Sequence, residues 1–334
     1  MHPASDLTYA SFVLEGLARV LGPQAIHHST SGFPPRYGGG RALAFHLAAD
    51  TAARAFLVFT DQTAINDPGE EWASVYGMVN LAPGDQARAI ALGPTFGIRL
   101  SSDSLTRRHL SSTWRWAAEG RATEPRRSVR LRVAAERSRA LVKHQRRRAP
   151  ISAYRPRPSE PDYVFYTAWP WAKHGDVNPP RIGFIEACGR APGLSFEGGF
   201  APRRQGDVPE VLPYTTASRY SLPQYLARLG RSAVAFNNPA VHGCLGWKLG
   251  EFLAMGKAIV SLPLGDRVLP APLEHGEHLH MIDGSPESFD DAIARLRSDH
   301  RYRERLEMNA RRWYDDHLAP QKVAARVLAA LDAV

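Results

Sequence analysis

Cysteine is nearly absent from this sequence of 334 residues, which holds only Cys188 and Cys244. Two cysteines are too few for a disulfide framework or a cysteine-rich zinc site, so we expect reduced thiols. No apolar run reaches about 18 residues, and no membrane-spanning helix is predicted. The first twenty residues lack a basic segment and carry Asp6 and Glu15 within an apolar pattern, which argues against a signal peptide. These absences favour a cytoplasmic enzyme or binding protein.

Positive charge is in excess, and the excess is local. The whole sequence has 42 Lys and Arg against 33 Asp and Glu, but residues 101–160 alone have 16 against 5. Trp114 and Trp116 lie close to this Arg-rich stretch. Such a segment is typical of a nucleic-acid surface, of contact with an anionic membrane through residues 121–148, or of a solvated helix that joins two domains. All three interpretations remain open at this point.

The first half of the sequence combines one clear helix with short β-type runs. The helix is predicted at 7–21, and strands are predicted at 25–28, 43–47, 55–60, 76–81 and 88–92. Turn residues such as those at 38–40 and 67–69 separate the strands. Asp61 follows the strand at 55–60, and ligands tend to lie at the carboxyl ends of strands in open α/β sheets.

The second half alternates strands and helices after a proline-rich linker at 150–161. Strands are predicted at 163–168, 194–196, 232–236, 258–262 and 278–282. Helices are predicted at 179–191, 221–229, 247–255, 285–296, 302–317 and 320–331. This alternation predicts a parallel, doubly wound sheet.

Residues 236–263 form the most informative stretch, in which a strand leads through a glycine-containing loop into a helix with Lys248 and Glu251. Small residues allow a close approach of a diphosphate to the backbone, and the start of a helix favours negative charge. Lys248 adds a point charge, while Glu251 can accept hydrogen bonds from a ribose. The alternative is that the two residues form an ordinary i,i+3 surface pair.

The segment WKLGEFLAMGKAIVSLPL resembles the donor-nucleotide signature of GT-B glycosyltransferases. The residues from 278 to 328 resemble the tail of the same group, so that the resemblance covers about residues 161–334. In the first half, EEWASVYGMVNL and IALGPTFGIRL resemble segments of bacterial family 1-type glycosyltransferases.

The resemblance implies an α/β chain of the GT-B-like kind, with two Rossmann-like domains facing a cleft. It places an acceptor-side domain at 1–118, a basic helical arm and linker at 119–160, and a donor-binding domain at 161–316. A carboxyl-terminal helix at 317–334 is expected to return toward the first domain.

The resemblance also assigns the donor site. It implies that Glu251 binds the nucleotide ribose and that Arg181 supplies a second positive charge over the diphosphate. Gly199 belongs to the glycine pair that ends the second strand of the donor domain. The diphosphate and the start of the sugar pocket are assigned to Lys248 and the backbone of Gly243, Cys244, Leu245 and Gly246.

One departure from the family pattern concerns catalysis. Retaining members often carry a second Glu eight positions before the first, and that position is Gly243 here. His242 is the candidate substitute, and Asp61 is the candidate base if the reaction inverts the anomeric centre. The histidines in HGEHLH lack an accompanying set of carboxylates, so we expect no metal site. The resemblance likewise implies no cofactor other than the nucleotide-sugar co-substrate.

The expected function is therefore that of a glycosyltransferase, of the hexosyltransferase kind. It moves a sugar from a nucleotide-diphosphate donor to a hydroxyl of a glycan, lipid-linked or small-molecule acceptor, in polysaccharide or glycoconjugate biosynthesis. The expected location is cytoplasmic, with a peripheral position at the inner face of the membrane as an open extension. The alternatives are a nucleic-acid-binding protein that uses the Arg-rich segment and a GT-B-like epimerase or phosphorylase.

Overall fold

A computed structural model describes residues 1–33, 41–48, 50, 52–61, 63–65, 69–119, 126–173, 176–203, 206 and 208–333. The predicted turn at 38–40, most of the turn at 67–69 and the first part of the basic segment, 121–125, lie outside these residues. The chain divides into two compact units. Unit 1 consists of Met1–Ile151, Asp266–Pro270 and His317–Val334, and unit 2 of Ser152–Gly265 and Ala271–Asp316.

The regular elements of unit 2 follow the predicted order, whereas the short helix Gly69–Trp72 of unit 1 was not predicted. The strands are β1 (Ala42–His46), β2 (Arg54–Val58), β3 (Val75–Met78), β4 (Ile90–Ala91), β5 (Tyr163–Ala168), β6 (Ser195–Phe200), β7 (Ala235–Asn237), β8 (Ile259–Ser261) and β9 (His280–Met281). The helices are α1 (Leu7–Leu21), α2 (Gly69–Trp72), α3 (Asp103–Glu119), α4 (Arg127–Arg147), α5 (Pro179–Arg190), α6 (Leu222–Arg231), α7 (Trp247–Ala254), α8 (Pro286–Ser298), α9 (His300–Trp313) and α10 (Pro320–Asp332).

Unit 1 is built on a mixed sheet in the order β1-β2-β3-β4. β1 pairs antiparallel with β2, whereas β2 with β3 and β3 with β4 pair in parallel. The helix predicted at 7–21 is confirmed, and the Asp6 side chain caps it by accepting a hydrogen bond from the Thr8 amide at 3.0 Å. Within this unit α1 packs against α10.

The strand predicted at 25–28 is wrong. Pro23–Ala25 forms a short 3₁₀ turn, and Pro23 has no N–H to donate to a sheet. The following backbone groups bond to the first residue of the chain. The Met1 amino group donates to the His27 carbonyl at 2.8 Å, and the Ser29 amide donates to the Met1 carbonyl at 3.1 Å.

Unit 2 contains only parallel pairings among its described strands, β5 with β6 and β7 with β8 and β9. The two groups adjoin, because the Ala233 amide donates to the Tyr163 carbonyl at 2.8 Å and the Phe165 amide donates to Ser232 Oγ at 2.9 Å. The strand order is therefore β6-β5-β7-β8-β9. The predictions of an α/β chain and of a parallel sheet in its second half are confirmed.

Aromatic packing fixes the helices against this sheet. Phe184 of α5 stacks on Phe236 of β7 with their ring centroids 4.6 Å apart, and Phe289 of α8 meets Phe236 edge-on at 5.3 Å. All three rings are buried. Burial of this kind contributes about 1.5–3 kcal/mol per side chain and holds the start of α5 in place.

Candidate functional site

The order of the strands in unit 2 defines a topological switch point between β5 and β7. The chain leaves β5 through α5 toward β6 on one side, and leaves β7 through α7 toward β8 on the other. In open α/β sheets, ligands bind at such a point, beyond the carboxyl ends of the strands. The first turns of α5 and α7 both begin at this edge, and each carries one of the predicted basic residues.

Lys248, in the first turn of α7, lies over the carboxyl end of β5. Its Nζ donates a hydrogen bond to the Thr167 carbonyl and lies 4.8 Å from the ring centroid of Tyr166. The pKa of Lys248 is lowered to about 7, mainly because the side chain is buried and in smaller part because of the Arg181 guanidinium, while the Glu251 carboxylate acts in the opposite direction. The residue therefore holds its positive charge weakly while nothing negative is bound.

Arg181, in the first turn of α5, supplies the second charge. One nitrogen, Nη1, donates to the Trp169 carbonyl at 2.8 Å, while Nε is buried and has no hydrogen-bond partner among the described residues. The charge of Arg181 also counteracts the effect of burial, which raises the pKa of Tyr166 to about 12. Arg181 and Lys248 thus act on the same tyrosine from two different helices.

Glu251 lies one turn further along α7 and is only 6% exposed. Its Oε2 accepts a hydrogen bond from the Tyr225 hydroxyl of α6 at 2.8 Å. The surface pair with Lys248, which was the alternative in the sequence analysis, is therefore not what the structure contains. A buried carboxylate with one oxygen oriented by a phenol has a fixed direction for a further hydrogen bond.

Gly199 lies within β6, opposite Thr167 of β5, whose carbonyl accepts from Lys248. It has φ +134°, and a Cβ at this position would lie 2.2 Å from the Tyr214 carbonyl oxygen. The sequence analysis predicted that the glycine pair ends the strand. In the structure the pair lies inside β6, which continues to Phe200. The effect of the pair is to allow the backbone of residue 214 to pass close to β6.

The loop before α7 uses part of its backbone internally. The Gly243 amide donates to the Ala240 carbonyl at 3.1 Å and the Cys244 amide donates to the Val241 carbonyl at 3.2 Å. Cys244 and Leu245 have buried side chains. The Gly246 amide has no hydrogen-bond partner within the described part of the chain, and a Cβ on Gly246 would meet no atom within 4 Å. The space in front of α7 is therefore open at Gly246.

The two candidate catalytic residues belong to different units. Asp61 is exposed in unit 1, three residues after β2 ends, and the neighbouring Thr60 carbonyl accepts from Asn80 Nδ2 at 2.9 Å. His242 is exposed in unit 2 and has φ +57°, an uncommon backbone conformation for a residue other than glycine. Such outliers concentrate at functional sites. A catalytic role for either residue stays a prediction.

The histidines of HGEHLH have structural partners. His275 Nδ1 accepts from the Met281 amide at 3.0 Å, and His278 Nδ1 accepts from the Glu274 amide at 3.2 Å. His280 Nδ1 lies 2.8 Å from the Tyr302 hydroxyl. Among the residues described, no group of three or more His, Cys, Asp or Glu side chains is arranged to hold a metal ion.

Three contributors to the site were missed by the sequence analysis. Tyr166 underlies Lys248, Thr167 supplies its acceptor, and Tyr225 orients Glu251. The first two stand at the end of the predicted strand YVFYTA, where a residue can face a ligand, so their position in the sequence was a usable signal. Tyr225 carries no such signal, because it depends on how α6 packs beside α7.

No protein-family model and no curated protein matches the sequence. Matching solved structures include the C-terminal domain of a glycosyl transferase group 1 family protein (LpcC) from Francisella tularensis, at 12% identity and a TM-score of 0.35, over 49% of this chain and 95% of that chain. HepE from Anabaena in complex with UDP-glucose matches at 11% identity and a TM-score of 0.40, over 80% and 93% of the two chains.

An α,α-trehalose-phosphate synthase (UDP-forming) from Burkholderia vietnamiensis matches at 12% identity and a TM-score of 0.42, over 79% of this chain and 62% of that chain. Solved glycosyltransferases are thus among the matching structures, as the sequence resemblance predicted.

The low pKa of Lys248 predicts a pH dependence of anion binding. Between pH 7 and pH 9 a terminal phosphate is already largely ionised and gains little further charge, since its second proton is lost near pH 6. Lys248, with its pKa near 7, loses its charge over the same interval, so the affinity for a nucleoside diphosphate should fall as the pH rises. Isothermal titration calorimetry with UDP and GDP at pH 7, 8 and 9 measures this.

The control is Lys248→Arg, because a guanidinium stays charged throughout that range. Its affinity should change little between pH 7 and pH 9. Equal slopes for the variant and the wild-type protein would show that another group titrates.

Proposed function

We propose that this chain is a glycosyltransferase whose unit 2 binds the diphosphate of a nucleotide-sugar donor between the first turns of α5 and α7. The observation that supports this site is the pair of basic residues, Arg181 and Lys248, at the switch point. Neither residue belongs to an ion pair within the described part of the chain. One of them retains a buried nitrogen that no described group satisfies.

The positive charge of Lys248 is costly for the protein alone, because burial and then the neighbouring Arg181 guanidinium lower its pKa and Glu251 compensates only in part. A bound diphosphate removes that cost, because it places negative charge between the two side chains. The partial positive charges at the starts of α5 and α7 act in the same direction. The Gly246 amide, open to its surroundings, adds a donor for a phosphate oxygen.

The same arrangement supplies chemistry as well as binding. When the bond between the sugar and the diphosphate breaks, negative charge grows on the leaving phosphate oxygens. Fixed cations stabilise that charge more in the transition state than in the ground state, and such groups raise turnover. A hexose as the transferred sugar and a glycan, lipid-linked or small-molecule acceptor belong to the same proposal and derive from the sequence resemblance. The proposed cytoplasmic location derives from the composition of the sequence.

A thermal-shift panel tests the diphosphate site. We expect UDP, GDP, dTDP or ADP to raise the melting temperature of the full chain more than the matched monophosphate does. The difference should shrink in Arg181→Ala, because the second phosphate has lost a partner. Equal stabilisation by mono- and diphosphates would contradict the proposal. If incubation with a nucleotide sugar instead gives a product that retains both the sugar and the nucleotide, the epimerase alternative is favoured.

Glu251 provides a second prediction, for the ribose. Glu251→Gln should weaken nucleotide binding by about 1.5–3 kcal/mol, the range for a hydrogen bond to a charged group. The variant should also lose its discrimination between a ribonucleoside diphosphate and its 2′-deoxy form, measured by calorimetry. Tyr225→Phe serves as the control, because it removes the orienting hydrogen bond and leaves the carboxylate charged. If Glu251→Gln still distinguishes the ribonucleoside diphosphate from its 2′-deoxy form, the carboxylate stabilises the fold and does not bind the ribose.

A further inference from the structure

The helical pair α3–α4 of unit 1 carries a surface cavity of 540 Å³ that the proposed donor site does not use. Its apolar lining comes from Leu110 and Trp114 of α3 and Val142 of α4. Trp114 is 45% exposed and Val142 is 37% exposed. Leu131, eleven residues before Val142 and so on the same side of α4, is 36% exposed. Exposed apolar side chains that lie together and are rimmed by polar ones mark interaction surfaces for proteins or membranes.

Apart from Ser138, the other lining residues of the cavity are basic. Arg139, Lys143, Arg146 and Arg147 of α4 line it, and all four are exposed. None of the four belongs to an ion pair with a described residue. The described residues of the lining include no acidic side chain. The positive charge of this surface is therefore available to an anionic partner.

We propose that this α3–α4 surface docks on a bilayer containing anionic phospholipids, with Trp114 and Val142 in the interfacial layer and the four basic side chains against lipid phosphates. An exposed tryptophan beside long basic side chains is the combination favoured at membrane interfaces, since its ring prefers the headgroup level. Juxtaposed basic residues are attracted to an anionic leaflet.

The apolar lining decides between a membrane and a nucleic acid. A polyanion bound only through its phosphates needs the basic residues but gains nothing from an exposed Val142 or Leu131. A bilayer accepts both groups at once, because apolar side chains enter the interface while the charges stay at the phosphates. Among the described helices, none combines the length and the apolar content that crossing a membrane requires.

Vesicle flotation tests the proposal with the full chain. We expect binding to vesicles of phosphatidylcholine with 30 mol% phosphatidylglycerol, chosen as about a one-third anionic surface, and no binding to phosphatidylcholine alone. Lys143→Gln/Arg146→Gln should weaken binding roughly 30-fold, at about 1 kcal/mol per basic residue. Arg301→Gln/Lys322→Gln removes the same charge from exposed sites on other helices and should leave binding unchanged.

Trp114→Ala tests the apolar part of the contact, because it changes no charge. It should reduce vesicle binding even at salt concentrations that screen the basic residues, because the interfacial contact of the ring is lost. Equal losses in the two double variants, or binding to single-stranded or duplex DNA with no binding to anionic vesicles, would overturn the proposal. Since all substituted side chains are exposed, unchanged thermal melting shows that each variant is folded.

Discussion

Arg181→Ala and Lys248→Ala should each lower kcat by about 10²-fold with a smaller change in the affinity for the donor. Such a loss corresponds to about 2.7 kcal/mol and is typical of removing one group that stabilises charge in the transition state. The expectation follows from position: the two cations stand at the starts of α5 and α7, on either side of the switch point. Steady-state kinetics with a nucleotide sugar that stabilises the protein measures both parameters.

The identity of the cation matters at residue 181. Arg181→Lys should recover only part of kcat, because a forked guanidinium that bonds to the Trp169 carbonyl and has further donors for a phosphate is exchanged for a point charge. Arg190→Ala is the matched control. It lies on the same helix in an exposed pair with Asp290 and should leave kcat unchanged. Wild-type turnover in Arg181→Ala would leave Lys248 and the glycine-containing loop as the whole phosphate site.

The double variant adds a test of whether the cations act on one anion. If both stabilise the same leaving diphosphate, the loss in Arg181→Ala/Lys248→Ala should be smaller than the product of the single losses, because groups that act as a unit are not additive. A fully multiplicative loss would indicate two independent contributions.

The second half of the fold could be predicted in detail because each element carries its own local signal. The strand at 163–168 is a run of apolar and aromatic residues bounded by polar ones, and it is observed at the same residues. Ser221 is the N-cap residue of α6 and forms a capping box with Gln224, and α5 has prolines in its first turn. Patterns of this kind depend on neighbours in the sequence, so the rest of the chain does not change them.

The features that could not be predicted depend on contacts between residues that are far apart in the sequence. The antiparallel register of β1 with β2 pairs Ala42 with Val58, and no local pattern distinguishes it from a parallel neighbour. Glu251 is polar at a position compatible with a surface, yet it is buried because α6 brings Tyr225 against it. The sequence placed the basic residues of the site correctly on helix starts, but the partners of those residues come from the packing of other elements.

Gly198→Ala should be among the most destabilising single substitutions in unit 2, whereas Gly246→Ala should be nearly neutral for folding and damaging for binding. Gly198 has φ +125°, and a Cβ there would lie 1.7 Å from the carbonyl oxygen of Tyr166, its partner across the β5–β6 pair. Backbone strain and overpacking each cost about 1–3 kcal/mol, so we expect a loss of about 3–5 kcal/mol in the free energy of unfolding. The substitution also displaces Tyr166, whose ring lies against Lys248.

Gly246 separates stability from function, because its extended backbone, with φ −85°, accepts alanine and no atom lies within 4 Å of the added Cβ. Exchange of glycine for alanine at this helix cap should cost less than about 1 kcal/mol. The methyl group would nevertheless occupy the space that a diphosphate needs in front of the Gly246 amide and Lys248. Urea denaturation and calorimetry with UDP and GDP on both variants measure the two effects. A Gly246→Ala protein that melts normally and binds nucleoside diphosphates like the wild type would place the phosphates elsewhere.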